Sequence, residues 1–365
     1  MLEEVFECPL PPGGGHPQWH LLGDKVLAVR GSALHIMDGP GGEWGTVQLP
    51  GVITAVERWK DWILIGLDSG QLIGLNSGEL LGISAQLQLT EPILIKEDRR
   101  IGRLQWDDSL LYLLVGDNLL VTLFLDAVED AFLSNDTSRL KDSGCYYELP
   151  VERAITFHLS TDDRIDGWPE PTTTSGSTKL LVGGAAPMFS IVELPPIGEA
   201  LLDPVSLAAD FISNTVGGWL FKSQANISPK PRALLDRLPR GHVTTVMAFD
   251  DADRCIQDIQ MLPKDRSVVV LLDQQHGRAL LLDPYCGIIR RQVKGLRGSH
   301  VSLIADRLVA LHPKRHYIDT HPLRGDGEPS RHDFPTDLIC GGVFGGRVIC
   351  LDPGKGTLIM YKFAI

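Results

Sequence analysis

The stretch SVVVLLDQQHGRALLLDPYCGII, residues 267–289, decides the fold. Two apolar runs, residues 268–272 and 279–282, each end at an aspartate, and each is followed by a short turn that contains glycine. Glycine supplies the positive φ angle that tight hairpins need, and an aspartate before a turn accepts hydrogen bonds from the amides just ahead of it. The stretch therefore predicts short antiparallel strands joined in a meander.

The same pattern recurs at two other places in the chain. One copy covers residues 62–84, and a less complete copy covers residues 347–363. Weaker versions occupy residues 25–37 and 110–125. Four-stranded units that repeat every about 40 to 50 residues are typical of propeller blades. We therefore predict an all-β propeller of about six or seven WD40-like blades; two β-sandwiches are the alternative, but they give no reason for a blade-length repeat.

The two ends of the sequence are predicted to close the ring. An open propeller would leave the backbone amides and carbonyls of an edge strand unpaired. We therefore expect the run Thr357 to Phe363 to pair beside the segment Glu3 to Cys8. Residues 1–365 would then form a single propeller domain.

Two segments interrupt the repeat. Residues 161–178 are polar and lack apolar periodicity, so we predict a mobile loop. Residues 199–222 place apolar side chains mostly three and four residues apart, which predicts an inserted amphipathic helix. We expect this helix to pack over a face of the propeller. Because Trp219 and Phe221 lie at its end, the alternative is a helix that docks on a partner, with a protein groove favoured over lipid.

Composition excludes several classes of function. The formal net charge of −12 argues against a nucleic-acid-binding protein, which needs clustered lysine and arginine. The six cysteines are widely separated, which indicates free buried thiols rather than disulfides or a zinc site. The sequence shows neither a secretory signal nor an apolar run of about 18 residues. We expect a cytoplasmic protein with at most peripheral membrane association.

No motif for catalysis or cofactor binding is recognisable in the sequence. The nearest candidate for a phosphate-binding loop, residues 353–357, has glycine where a hydroxyl residue must follow the lysine. His312, His316 and His321 are close in sequence, but two basic residues between them would repel a cation. We therefore predict a protein without catalytic residues, metal or cofactor. A propeller enzyme of the hydrolase or lactonase type is the alternative, and it rests on fold analogy alone.

Residues 205–300 resemble the amino-terminal domain of the non-catalytic, regulatory subunit of the Rab-three GTPase-activating protein complex. The resemblance is carried by a helical segment, then Asp236-Arg237, then Gly277-Arg278 with Leu281-Leu282-Asp283, and the run from Gly287 to Arg297. This sequence has Val293, Leu296 and Gly298 where the family has tryptophan, tyrosine and aspartate.

The resemblance implies a regulatory subunit in membrane traffic. It implies a catalytic GTPase-activating subunit and a Rab GTPase as partners, acting at endomembranes, and it transfers no catalytic residue to this chain. A generic WD40-like interaction protein unrelated to Rab regulation is the alternative.

A local basic cluster lies in the segment most similar to that family. Four basic residues fall between Arg290 and Arg297, in a chain that is acidic as a whole. We expect Lys294, Leu296 and Arg297 to form part of a docking surface, in which the charges steer an acidic partner and Leu296 supplies a buried contact. The alternative is a solvated loop that offsets nearby acidic residues.

Overall fold

The computed structural model shows seven four-stranded antiparallel sheets. It describes residues 2–13, 16–39, 42–76, 89–134, 136, 140, 144–149, 151, 153–160, 178–185, 188–194, 242–248, 256–262, 268–272, 277–283, 288–296, 300–304, 306–324, 327–344 and 346–363. Each sheet is one blade, and in six blades the strands follow one another in chain order.

The strands have the following bounds. The first strand, β1 (Leu2–Pro9), belongs to the last blade. Blade 1 contains β2 (Gln18–Leu22), β3 (Lys25–Arg30), β4 (Ala33–Asp38) and β5 (Trp44–Gln48). Blade 2 contains β6 (Ile53–Trp59), β7 (Trp62–Leu67), β8 (Gln71–Asn76) and β9 (Ile93–Leu94). Blade 3 contains β10 (Ile101–Trp106), β11 (Leu110–Val115), β12 (Leu119–Phe124) and β13 (Gly144–Glu148), with helix α1 (Leu125–Ser134) between the last two.

The remaining blades repeat this order. Blade 4 contains β14 (Ala154–Ser160), β15 (Thr178–Gly184), β16 (Met188–Leu194) and β17 (His242–Ala248). Blade 5 contains β18 (Ile256–Met261), β19 (Val268–Leu272), β20 (Arg278–Asp283) and β21 (Ile288–Lys294). Blade 6 contains β22 (His300–Ile304), β23 (Arg307–His312), β24 (Tyr317–Pro322) and β25 (Ser330–Asp333). Blade 7 contains β26 (Ile339–Phe344), β27 (Arg347–Asp352) and β28 (Thr357–Phe363), and β1 is its fourth strand.

The first strand of each blade lies nearest the centre of the ring. First strands of successive blades pack on one another from β2 through β6, β10 and β14 to β18, and again from β22 through β26 back to β2. The fourth strands therefore form the perimeter. This arrangement confirms the propeller predicted from the sequence.

Blade 7 confirms the predicted closure of the ring. Strand β1 pairs antiparallel with β28, with Glu3 opposite Lys362 and Cys8 opposite Leu358. The first strand of the chain thus supplies the fourth strand of the last blade. As a result, the edge of β28 is covered.

The core is divided among the spaces between blades. Each strand alternates its side chains between the two neighbouring blades, so that Ile63 and Ile65 of β7 pack toward blade 1, whereas Leu64 packs toward blade 3. This alternation explains why all six residues of β7 are buried. Strands buried on both sides have continuous apolar runs, which is the sequence pattern that predicted them.

A β-bulge recurs near the start of the first strand of five blades. It lies between the residue pairs Ile53/Ala55, Ile101/Arg103, Ala154/Thr156, Ile256/Asp258 and Cys340/Gly342. The residue before the bulge packs on a glycine of the preceding blade in two described cases. A Cβ atom at Gly66 would lie 2.7 Å from Ile101 Cγ2, and a Cβ atom at Gly183 would lie 2.5 Å from Ile256 Cγ2. Glycine is therefore required at these positions for neighbouring blades to pack.

The ring has two faces that differ in their connections. We call the upper face the one that carries the turns between second and third strands and the links between blades; the lower face carries the other turns. In blade 4, the end of β14 and the start of β15, and likewise the end of β16 and the start of β17, lie on the lower face. The predicted loop, except Thr178 at the start of β15, and the predicted helix 199–222 lie outside the described residues.

Helix α1 was not predicted from the sequence. Its buried residues Leu125, Val128, Ala131 and Phe132 face the core between blades 2 and 3. No helix among the described residues is long and apolar enough to cross a bilayer. Cys8, Cys145, Cys340 and Cys350 are free and buried, as expected.

Candidate functional site

The predicted docking segment forms the outer edge of blade 5. Strand β21 pairs with β20 on one side and is the last strand of its sheet. Its first two residues, Ile288 and Ile289, are 57% and 48% exposed, and Lys294 at its end is also exposed. Apolar and basic side chains therefore lie together on the perimeter of the ring.

Leu296 does not belong to this surface. It is only 4% exposed and packs in the protein's own core with Leu281, Val293 and Leu308. Its amide donates a hydrogen bond to the carbonyl of Gly277 at 2.9 Å. The expectation that Leu296 supplies a contact to a partner is therefore not met in this structure, because the side chain is already buried within blades 5 and 6.

Leu296 occupies a position that recurs around the ring, which we call the anchor position. In six blades the apolar residue that follows the fourth strand donates its amide to a carbonyl in the turn between the second and third strands. The pairs are Leu10 to Gly356, Leu49 to Ser32, Ile95 to Gly70, Leu149 to Asn118, Leu296 to Gly277 and Phe334 to His316, at 2.7 to 3.2 Å. Anchor residues thus fix the link between blades.

The other predicted docking residues are placed only in part. Lys294 is exposed on β21. Arg297, Trp219 and Phe221 lie outside the described residues. The docking role of these four side chains stays a prediction.

A cleft on the upper face of blade 3 was not predicted from the sequence. It has a volume of about 580 Å³ and lies where the turn between β11 and β12 meets the links on either side of the blade. Its lining comprises Asp98, Arg99, Arg100, Gly116, Asp117, Asn118, Val151 and Arg153. We call it the arginine cleft. Its residues come from three segments of the chain, which is why the linear sequence gave no signal of it.

The three arginines of the cleft are exposed. Among the described residues, none of them forms a salt bridge or donates a side-chain hydrogen bond to the rest of the protein. Backbone hydrogen bonds fix the two segments that carry these arginines. The carbonyl of Arg100 accepts from the amide of Gly116 at 2.8 Å, and that of Arg153 accepts from the amide of Ala185 at 3.0 Å.

Polar side chains of the first strands line the axis of the ring. After the recurrent bulge, equivalent positions carry Ala55, Arg103, Thr156, Asp258 and Gly342, and two residues further on they carry Glu57, Gln105, His158, Gln260 and Phe344. Arg103 Nη1 lies 2.9 Å from Asp258 Oδ1. This ion pair joins blade 3 to blade 5 across blade 4, so both side chains reach the axis.

Burial dominates the ionisation of the axial groups. Burial and, to a lesser extent, the positive charge of Arg103 lower the pKa of His158 to about 4, whereas the negative charge of Asp258 opposes the shift. Burial also lowers the pKa of His20 to about 4 and raises the pKa of Glu57. The axis thus holds neutral histidines at neutral pH, and its closest ion pair is satisfied within the protein.

The three histidines considered as metal ligands are not arranged as a metal site. His312 Nε2 lies 3.4 Å from Asp319 Oδ2, and the same carboxylate is paired with Arg331 at 3.0 Å. Burial lowers the pKa of His312. Within the described part of the chain, no three potential ligands come together around a common point.

Seven four-stranded meanders around an axis, closed by pairing of the first and last strands, define the chain as a WD40-type β-propeller. Solved structures agree with this class. The β-propeller domain of Myceliophteria thermophila Cps50 (Swd1) has 10% identity and a TM-score of 0.57, with 98% of this chain and 100% of that chain covered. The WD40 propeller domain of Doa1 has 12% identity and a TM-score of 0.55, with 96% and 94% covered.

Two further neighbours come from complexes. A chain of the mitotic checkpoint complex has 9% identity and a TM-score of 0.58, with 100% of this chain and 95% of that chain covered. BBS1N, solved in complex with ARL6DN, has 9% identity and a TM-score of 0.57, with 100% and 97% covered. At this identity the likeness shows the fold alone. No family model and no curated sequence matches the chain.

Proposed function

We propose that the chain is a non-catalytic, regulatory scaffold that binds a catalytic GTPase-activating subunit and acts with it on a Rab GTPase. The observation that carries the proposal is the exposed pair Ile288 and Ile289 at the start of the edge strand β21, whose last residue is the exposed Lys294. This strand lies within the segment that resembles the regulatory subunit. The propeller would remain cytoplasmic and reach endomembranes through its partners.

The physical argument is the cost of leaving such an edge uncovered. An outer strand presents unpaired backbone groups, and apolar side chains on it favour contact with another chain. Of the fourth strands, β5 and β13 have no exposed large apolar residue, whereas β21 has two in succession. The exposed basic side chain of Lys294 at the other end of the strand adds steering toward an acidic partner. The solved complexes of similar propellers support binding of proteins in general.

The proposal is tested by capture of the catalytic subunit. Replacing Ile288→Thr and Ile289→Thr keeps the β-branched shape that suits a strand but removes apolar contact. We expect the double variant to bind at least about tenfold more weakly, which corresponds to about 1.4 kcal/mol. Binding is measured by surface plasmon resonance with the purified catalytic subunit, and a Lys294→Ala variant should weaken it most at low salt.

The matched control is Leu94→Thr, which changes an exposed apolar residue on the fourth strand of blade 2. It should bind the catalytic subunit as the unmodified protein does. Equal loss in the control, or unchanged binding by the Ile288/Ile289 variant, would remove β21 from the interface. The non-enzymatic part of the proposal has a separate test, because a stoichiometric metal in the purified protein would favour a propeller enzyme.

A further inference from the structure

We infer that the arginine cleft on the upper face of blade 3 binds a short acidic peptide segment of a protein partner, with carboxylate or phosphate groups held by Arg99, Arg100 and Arg153. The cleft lies two blades away from β21. It is therefore a second site, and it goes beyond the regulatory role proposed above.

The three guanidinium groups give the cleft its preference for anions. Arginine offers several N–H donors in a planar fork, which suits the paired oxygens of carboxylate and phosphate. Among the described residues, no group accepts a hydrogen bond from these three guanidinium groups or forms an ion pair with them. The described lining residues include three arginines and two aspartates, so these residues together carry a net positive charge in a chain whose formal net charge is −12. An anionic ligand is therefore drawn to this place on the surface.

The other lining residues indicate a peptide rather than a polyphosphate. Asp98 and Asp117 carry carboxylates, which accept hydrogen bonds from the backbone N–H groups that a peptide has and a phosphate group lacks. Asn118 both donates and accepts, and Val151 offers an apolar contact. A peptide supplies anionic side chains, amide donors and apolar atoms within a few residues, so it satisfies the whole lining.

The size and rigidity of the cleft fit a short segment. Its volume of about 580 Å³ falls in the range of about 300 to 1,000 Å³ that is typical of ligand sites. The turn carbonyls of Asp117 and Asn118 accept from the amides of Ala154 and Leu149 at 2.6 and 2.8 Å. Because the walls are fixed before the ligand arrives, little ordering of the backbone opposes binding.

The test measures binding of fluorescent peptides to the full chain by anisotropy. Three peptides of one length are compared: one rich in glutamate, one with phosphothreonine, and one with glutamine in place of every acid. We expect the acidic or the phosphorylated peptide to bind, the glutamine peptide to bind at least tenfold more weakly, and affinity to fall as salt rises. The first two peptides distinguish the source of the negative charge.

Variants then locate the binding. Arg100→Gln with Arg153→Gln should weaken binding at least tenfold, because both residues line the cleft and each loses its positive charge. The control is Lys314→Gln, which removes an exposed positive charge from the upper face of blade 6. It should change affinity less than twofold. The Ile288/Ile289 variant should bind the peptide normally, so that failure at the cleft and failure at β21 are separate results.

Several results would overturn the inference. One is equal binding of the acidic, phosphorylated and glutamine peptides, a comparison that needs no variant. Another is equal loss in the Lys314 control, which would show that overall charge alone attracts the peptide. A third is competition by inorganic phosphate or single-stranded DNA at the concentration of the peptide, which would assign the cleft to free anions or to nucleic acid.

Discussion

At the scale of single residues, the apolar side chain at the anchor position stabilises the propeller and does not contact a partner. An apolar residue follows the fourth strand of a blade at each anchor position. Five of these residues are only 2 to 8% exposed: Leu49, Ile95, Leu149, Leu296 and Phe334. Each combines a buried side chain with a backbone hydrogen bond to the neighbouring turn. The role requires an apolar residue of adequate size, which both leucine and an aromatic ring satisfy.

Replacing Leu296→Ala should therefore destabilise the protein. Truncation of a buried leucine leaves a cavity and costs about 2–5 kcal/mol. The free energy of unfolding, measured by urea denaturation, should fall by this amount. Leu133→Ala in α1 is the control, because Leu133 is 69% exposed and its loss should cost less than about 0.5 kcal/mol. Equal stability of the two variants would contradict the anchor role.

The same residues show what a single sequence can and cannot reveal about the site. Leu296 beside basic residues was interpreted as a docking contact, because nothing local distinguishes an apolar residue that packs inward from one that faces solvent. An alignment of the fourth strands of all blades would have revealed the inward packing of Leu296, because an apolar residue recurs after each of these strands. The arginine cleft brings Arg100 and Arg153 together from the two ends of blade 3, a proximity that the folded blade creates and the linear sequence does not show.

At the scale of elements, the strands were predictable and the helix was not. Continuous apolar runs ended by aspartate or glycine turns predict strands such as β7 and β20 because both their faces are buried. Helix α1 follows β12 without any intervening turn and is only ten residues long. The run Leu119 to Leu125 therefore read as one strand. Helix α1 does place apolar residues three and four apart, but it has too few turns for this helical spacing to be recognised in the sequence.

Helix α1 should depend on Phe132. The ring lies 5.1 Å from that of Trp62, and a Cβ at Gly74 would lie 2.7 Å from Phe132 Cε2, so the helix fits closely against blade 2. Phe132→Ala should lower the free energy of unfolding by about 3–5 kcal/mol.

A matched change on the same helix gives the comparison. Glu129→Gln removes only the salt bridge to Lys60, which is largely exposed and contributes about 0–1 kcal/mol. Thermal denaturation followed by circular dichroism measures both variants. If Phe132→Ala were as stable as Glu129→Gln, the helix would not be packed on the ring as the structure shows.

At the scale of the whole molecule, the axis gathers side chains from separate blades into one electrostatic environment. Arg103 and Asp258 pair across blade 4, and His158 of that blade lies close enough to feel both charges. These groups interact only when blades 3, 4 and 5 are packed together. Their ionisation therefore reports on the packing of these three blades.

Stability should fall in mild acid because of two histidines of the first strands, His20 and His158. The pKa values of His20 and His158 are about 4 in the folded protein and 6.5 when unfolded. Between these values the unfolded chain binds more protons, so the free energy of unfolding decreases as the pH falls from about 6.5 to about 4. Glu57, whose pKa is raised, opposes this trend because its protonation favours the folded state.

Urea denaturation across this pH range measures the effect. A variant with His20→Gln and His158→Gln should show a smaller decrease in stability than the unmodified protein. His16→Gln is the control, because His16 is exposed. An unchanged slope in the double variant would show that other groups govern the acid dependence.

The pairing of β1 with β28 also sets the order of events during synthesis. About 350 residues separate the two strands, so at about 5–20 residues per second β1 waits roughly 20–70 s for its partner to be made. During that time its apolar residues Phe6 and Cys8, which pack in the finished core, have no sheet to join. Early blades can form as their strands emerge, but the ring cannot close before Thr357 to Phe363 are translated. The strand β1 therefore stays without its partner until nearly the last residue of the propeller has been added.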